Sequence, residues 1–181
     1  MVGFCAQICG FPPIPGMRLM SQHFVLRMRR ELGGDVELPR WPAGVSIKTL
    51  SRKPDRKEAK AAHSVLEAGF WEGGGGAPIF RQWWNAVRKD KEFDPALVFL
   101  AIDESGVAGI AHCWTSAFVK DLAVHPRARG RGIGRALMLT VFREFADRGA
   151  SHVDLKVREE NERAQRLYIN VGMRIIERMR N

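Results

Sequence analysis

The chain is short of several things that would place it in a class at once. It has three cysteines, Cys5, Cys9 and Cys113, an odd number that argues against a disulfide framework. Cys5-x-x-x-Cys9 would supply half a metal site, but no second ligand pair follows, so no metal is expected and the thiols read as free in a reduced, cytoplasmic setting. No apolar run approaches the roughly 18 to 20 residues of a membrane-spanning helix, so no membrane association is expected. The opening residues lack a basic stretch ahead of an apolar one and carry Pro12, Pro13 and Pro15, which does not read as a secretory signal. Acidic residues are the scarcer sign, 20 against 29 Lys and Arg, for a net charge of +9. Such a surface attracts polyanions. Nucleic acid is one such partner, but the cations are dispersed and no zinc finger, helix-turn-helix or RNP signature accompanies them, so it is not the expected one.

What is present fits one domain with a sizeable core: 181 residues, 45% of them hydrophobic and 9% aromatic. The most informative stretch runs from Val119 to Phe145. Val119 to Val124 reads as a strand, which His125-Pro126 ends because proline has no N–H for the ladder. Ile133, Leu137, Val141 and Phe145 then recur every four residues, an apolar stripe on a helix ending near Gly149. Gly130, Gly132 and Gly134 occupy the turn that opens this helix. Without side chains they let a ligand approach the backbone, where the unpaired N–H groups and the positive end of the helix dipole favour an anion. Arg129, Arg131 and Arg135 add donors suited to phosphate oxygens. The turn lacks the Gly-Lys-Ser/Thr of a Walker loop, and glycines spaced by two do not fit G-x-G-x-x-G.

Arg129-x-x-Gly132-x-Gly134 resembles the acyl-coenzyme A pyrophosphate loop of the GNAT N-acetyltransferases. A second segment resembles the same family: the strand Val153 to Val157, then Asn161, Ala164, Leu167, Tyr168 and Gly172-Met173, all in the family's register. Tyr168 is the only tyrosine in the chain. Read alone, it is a core aromatic on an amphipathic helix.

The remaining segments follow the family order from about residue 45 to 179. Val45 to Leu50 is a first strand. Asp55 caps a helix with Ala59, Ala62, His63, Leu66 and Phe70 on one face, where His63 reads as a core histidine. Gly73 to Gly76 break the chain ahead of a helix in which Pro78 sits in the first turn and Ile79, Trp83 and Val87 share a stripe. Leu97 to Ile102, Val107 to Trp114 and Ala117 to Val124 form a meander, and Arg174 to Met179 is the last strand. The fold class expected is α/β (α+β), a three-layer arrangement with a central mixed, twisted sheet and helices on both faces. Residues 1–43 form an extension with an irregular arm and an extra strand over 22–29, and 44–181 the GNAT domain. The family usually continues through a second C-terminal strand that this chain lacks, so the segment 22–29 or a neighbouring subunit, as in a homodimer, is expected to cover an exposed edge of the sheet.

The resemblance implies transfer of acetyl from acetyl-coenzyme A to an amine acceptor by direct attack in a ternary complex. By position, Leu122, Ala123 and Val124 would bind pantetheine, with the Leu122 N–H also stabilising the oxyanion. Arg129, Gly130, Arg131, Gly132, Ile133, Gly134 and Arg135 would hold the pyrophosphate, and Asn161, Ala164 and Tyr168 would complete the cofactor site. Tyr168 would protonate the leaving thiolate. Some family members carry a glutamate six positions before the residue matching Val124, where this chain has Phe118. Asp121 is then the nearest acid, either the base, acting directly or through water, or only a partner of a basic side chain or of the acceptor's ammonium, with His112 and Glu72 weaker candidates. Trp71, Glu72, Trp83 and Trp84 would wall the acceptor site, and Gly73 to Gly76 would form a mobile lid. His125 shapes the turn, and Cys113 reads as core. Two other readings remain at this point: a coenzyme A-binding regulatory module without turnover, and a basic nucleic-acid-binding protein.

Overall fold

The architecture is a seven-stranded mixed sheet in the order β2-β3-β4-β5-β6-β1-β7, with helices on both faces. The computed structural model describes residues 24–71 and 77–180, with the side chains of residues 70 and 71 outside that description. The strands are β1 (Phe24–Glu31), β2 (Ser46–Thr49), β3 (Phe93–Asp103), β4 (Gly106–Trp114), β5 (Phe118–Val124), β6 (His152–Arg158) and β7 (Arg174–Arg180). The helices are α1 (Arg56–Trp71), α2 (Phe80–Val87), α3 (Ile133–Asp147) and α4 (Glu162–Asn170). The mixed sheet, the β3-β4-β5 meander and the strand-turn-helix from β5 into α3 follow the sequence expectation. The Cys5/Cys9 pair, Glu72 and the glycine run fall outside the described residues.

Two cores sit on opposite faces. On one, Ile133, Leu137, Val141 and Phe145 of α3 pack with Tyr168 of α4 against Leu26, Met28, Val153 and Leu155. On the other, Ala62, Val65 and Leu66 of α1 and Trp83 and Val87 of α2 cover Val98, Leu100, Ile110 and Ala123. α1 starts where expected, because the Asp55 carboxylate accepts the Glu58 N–H at 2.7 Å. α2 starts at Phe80 with Ile79 at its N-cap, so Pro78 lies just ahead of the helix and not in its first turn. α3 is apolar beyond its single stripe, with Ala136, Met138, Leu139 and Phe142 also buried. The reason lies in the segment from Leu32 to Val45, whose Leu32, Val36, Trp41 and Val45 pack against the same core. Arg143 donates to the Val36 carbonyl at 3.3 Å, and Arg135 pairs with Glu37 at 2.7 Å.

The extra strand forms, two residues further on than 22–29, and lengthens the sheet beyond β6, with β7 added outside it. β1 runs antiparallel between β6 and β7, inside the sheet, and β7 is the edge. Alternation explains the insertion. Leu26 and Met28 join the core opposite Val157 and Leu155, while Arg27 and Arg29 on the other face reach Asp154, which is 4% exposed. Arg27 Nη2 and Arg29 Nε lie 2.6 and 2.7 Å from its carboxylate oxygens. Burial works against the charge of Asp154, but the hydrogen bonds from Arg29 and Arg27 outweigh it and hold the carboxyl below its usual range.

Candidate active site

A cleft of about 650 Å³ opens where the two parallel strands part. β5 and β6 pair only at Phe118 with Asp154 and Val119 with Leu155. The cause is local. Cys113 faces Val119 but His112 faces Asp121, so Lys120 is an extra residue in β5, and such a bulge bends and twists its strand. Beyond it, Asp121 to Val124 and Lys156 to Arg158 form the two walls of the cleft.

Backbone alternation sets which groups face the gap. The His125 N–H donates to Ala108 O at 2.9 Å on the β4 side. Residues 121 and 123 share that direction, so the N–H groups of Leu122 and Val124 point away from β4, toward the parted β6. The Val124 carbonyl on this open side accepts from Arg129 Nε at 3.2 Å. At the end of the strand, His125 Nδ1 accepts the Arg127 N–H at 3.3 Å and caps a single 3-10 turn over Pro126–Ala128, so it shapes the turn as expected.

The loop then delivers the N-terminus of α3. Gly130 and Gly132 have φ of +77° and +87°, a region that side-chain-bearing residues avoid, and a Cβ built on either would meet nothing within 4 Å. The loop is therefore glycine for its backbone conformation, and the space in front of it is open. A phosphate group fits such a cradle. Of the residues expected here, Leu122, Ala123, Val124, Arg129, Gly130, Gly132, Ile133, Gly134, Arg135, Asn161, Ala164 and Tyr168 all line the cleft, as does Asp121. Arg131 does not line it. Its guanidinium turns to Asp103 at 3.2 Å and to the Ala43 carbonyl at 3.3 Å, because Asp103 at the end of β3 is 9% exposed and draws both Arg131 and Arg127. The hydrogen bond from Arg127 holds Asp103 below its usual range.

Arg129 also donates to Gly69 O at 3.2 Å, and burial, then the nearby charge of Arg163, lower its pKa from the ordinary value. Lys156, Arg158 and Arg163 line the cleft as well and escaped the motif reading. The alternation of β6 could have pointed to Lys156 and Arg158, and the first turn of α4 to Arg163. With Lys120, Arg129 and Arg135 these cations face a single carboxylate, Asp121, so the cleft is matched to a polyanion.

Asn161 uses its Oδ1 to cap α4, accepting the Ala164 N–H at 3.1 Å. Gly172, at φ +85°, follows α4 as the expected left-handed stop. Tyr168 is buried yet reaches the cleft, and burial pushes its hydroxyl well above the usual phenol range. Its hydroxyl is therefore un-ionised at physiological pH. Asp121 lies 3.2 Å from His112 Nδ1. Cys113 is fully buried in the core, and burial, with Asp121 and Glu144 nearby, pushes its thiol pKa far up. No acyl-cysteine route starts from such a group. Trp83 and Trp84 lie over the same face of the sheet as Asp121, in a row of ring contacts running from His63 through Trp83, Trp84 and Phe93 to His112. Among the described residues no helix is long and apolar enough to cross a membrane, and there is no cluster of three or more metal-ligating side chains.

A profile of the Acetyltransferase (GNAT) family matches residues 62–173. Among curated proteins, the mycothiol acetyltransferase of Frankia casuarinae is 30% identical over 171 residues, 82% of this chain and 47% of that protein. Its namesake from Thermobispora bispora is 31% identical over 178 residues, 87% of this chain and 56% of the relative. The crystal structure of a GCN5-related N-acetyltransferase from Sphaerobacter thermophilus has a TM-score of 0.73 at 27% identity, over 87% of this chain and 50% of that one. The chain spans about half the length of the curated relatives it matches.

Proposed function

The chain belongs to the GNAT acetyltransferase family, and from that premise we propose that it is an N-acetyltransferase that uses acetyl-coenzyme A to acetylate an amine directly in a ternary complex. The observation that carries this reading is the gap between β5 and β6, into which strand N–H groups, a glycine-rich helix N-terminus and an un-ionised tyrosine all face. The curated relatives' acceptor belongs to proteins about twice as long, and none is assigned to this chain from their name. The transferase unit is residues 44–181 with β1 built into its sheet, and the location is the cytoplasm.

Acetyl-coenzyme A supplies an acetyl group activated as a thioester. The first-turn N–H groups of α3, with Arg129 and Arg135, would hold the pyrophosphate, Arg135 now pairing with the exposed Glu37. Asn161 and Ala164 at the start of α4 would complete the cofactor site, and the Val124 backbone would hold the pantetheine arm. The Leu122 N–H would stabilise negative charge on the acyl oxygen, a contribution of about 100-fold or more. Tyr168 would be the proton donor for the leaving thiolate, a factor of about 100 to 10,000. Asp121 removes a proton from the acceptor ammonium before attack, since only the neutral amine is a nucleophile.

Calorimetric titration with acetyl-coenzyme A, followed by thiol release in the presence of glucosamine, spermidine, an aminoglycoside and a peptide with N-terminal alanine, tests the proposal. One-to-one binding with thiol release dependent on one of these amines is expected. Binding without release from any amine would favour a coenzyme A-binding module. Absence of binding would refute the cofactor assignment.

A further inference from the structure

Two histidines are buried in this domain, and they differ. His63 is held on both sides, with Nε2 2.7 Å from the Pro78 carbonyl and Nδ1 3.6 Å from Glu67, and it packs against Phe80 and Trp83. That pattern is structural. His112 is 2% exposed and has one polar contact, Nδ1 to Asp121 Oδ2 at 3.2 Å, while its Nε2 is buried without a partner. A side chain kept only for packing would more cheaply be apolar at this position, since an unpaired buried polar atom costs about 1–3 kcal/mol. The one partner His112 does have is a residue of the cleft.

Resting on the transferase reading above, we propose that His112 is the positioning residue for Asp121 as the proton acceptor. The partners select the tautomer. With its proton on Nδ1, the ring donates to the carboxylate; with the proton on Nε2, a buried N–H has no acceptor and two lone pairs face each other. His112 is therefore a fixed donor through Nδ1. The Phe93 ring stands edge-on to it at 6.1 Å and 79° and holds its plane. The bulge at Lys120 brings His112 and Asp121 opposite each other, so that Oδ2 is taken by the imidazole and Oδ1 is left for the acceptor. The charged and titratable groups nearest Asp121 are His112 on β4 and Lys120 on its own strand, 4.0 Å from Oδ1, with Cys113 behind them in the core and Lys156, Arg158, Arg163, Arg129 and Arg135 on the rest of the cleft lining. α1 presents Ala62, Val65, Leu66 and Gly69 toward this part of the sheet, and α2 its tryptophans. The hydrogen bond from Nδ1 fixes which carboxylate oxygen points forward.

The test compares the full chain with His112→Phe, which keeps the ring and removes the donor, and His112→Asn, whose amide restores a donor near Nδ1. The acceptor is whichever amine of the panel above turns over fastest. In His112→Phe, kcat/KM for the amine should fall by about 10- to 100-fold, the loss of one hydrogen bond to a charged group. The loss should fall on kcat and not on KM for the amine, with acetyl-coenzyme A affinity unchanged, and His112→Asn should recover most of it. A normal rate in His112→Phe while Asp121→Asn is inactive would overturn this inference and leave the transferase reading standing. Full activity in Asp121→Asn would overturn it too. If no amine turns over, the transferase reading fails instead, and imidazole nitrogen NMR decides the pairing. A resident Nδ1–H tautomer that is lost in Asp121→Asn supports it, and an Nε2–H tautomer in the unmodified chain overturns it.

Discussion

Replacing Asp154 by Asn separates the contribution of charge from that of shape at the seam between β1 and β6. The amide keeps the volume and one acceptor, but turns an NH₂ group toward a guanidinium and leaves two arginines facing each other. In the native chain four contacts of 2.6 to 2.9 Å join Arg27 and Arg29 to a carboxylate whose side chain is 5% exposed. Breaking a buried pair by removing one member costs about 3–5 kcal/mol. The arginine side chains are 38% and 25% exposed, so water screens what is left behind, and we expect about 2–3 kcal/mol. For a chain of this length that is a fall in Tm of about 4–12 °C. Urea unfolding at pH 7 measures the difference directly. Its pH dependence has a fixed sign: the carboxyl is depressed in the folded state, so the stabilisation is fully present above the ordinary unfolded carboxylate value near 4 and is lost as pH falls through the lower folded value. The gap between the two proteins should therefore be level from about pH 5 to 8 and close in more acid solution. A difference under about 0.5 kcal/mol at pH 7, the scale of an ordinary surface substitution, would refute the claim that this pair seats the strand.

Three further outcomes are expected at the cleft. Gly132→Glu combines a strained backbone at φ +87° with a negative charge at the mouth of α3, and calorimetry should detect no acetyl-coenzyme A binding by the folded variant. Tyr168→Phe should lower kcat by about 100- to 10,000-fold in stopped-time thiol-release assays, with cofactor affinity within error of the parent. Arg131→Gln should change the acetyl-coenzyme A dissociation constant by about fivefold or less, because its guanidinium is turned to Asp103 and the Ala43 carbonyl and does not line the cleft.

The parts of this molecule that could be read along the chain are those whose cause is local. Glycines that must take positive φ, a proline that ends a strand, an aspartate that caps α1 and a four-residue apolar repeat in α3 each leave a signature within a few residues. The cleft residues in the loop and on α4 followed from such signatures. What stayed hidden depends on pairing across long separations. The segment 22–29 reads as a strand, but nothing within it says that it slots between β6 and β7. Arg131 belongs to the loop by spacing, yet its direction is decided by Asp103, 28 positions away. His112 and Asp121 meet because one extra residue in β5 shifts the register, and a bulge without glycine has no clear mark in sequence. The single apolar stripe of α3 was too narrow for the same reason, since the strap that buries its outer side comes from residues 32–45.

The position of β1 also dictates when this protein can become whole. Its partner Asp154 lies 127 residues downstream of Arg27, and β7 is later still. At a synthesis rate of about 5–20 residues per second, the first strand leaves the ribosome about 6–25 s before the strand it must join. During that interval Leu26 and Met28 have no sheet to enter, while the β3-β4-β5 meander, built from neighbours, can assemble at once. The last step is then the closing of a very long loop, the kind of contact that sets slow folding. A nascent chain arrested short of β6 would carry this strand as an exposed adhesive segment, available to a chaperone or to another nascent copy.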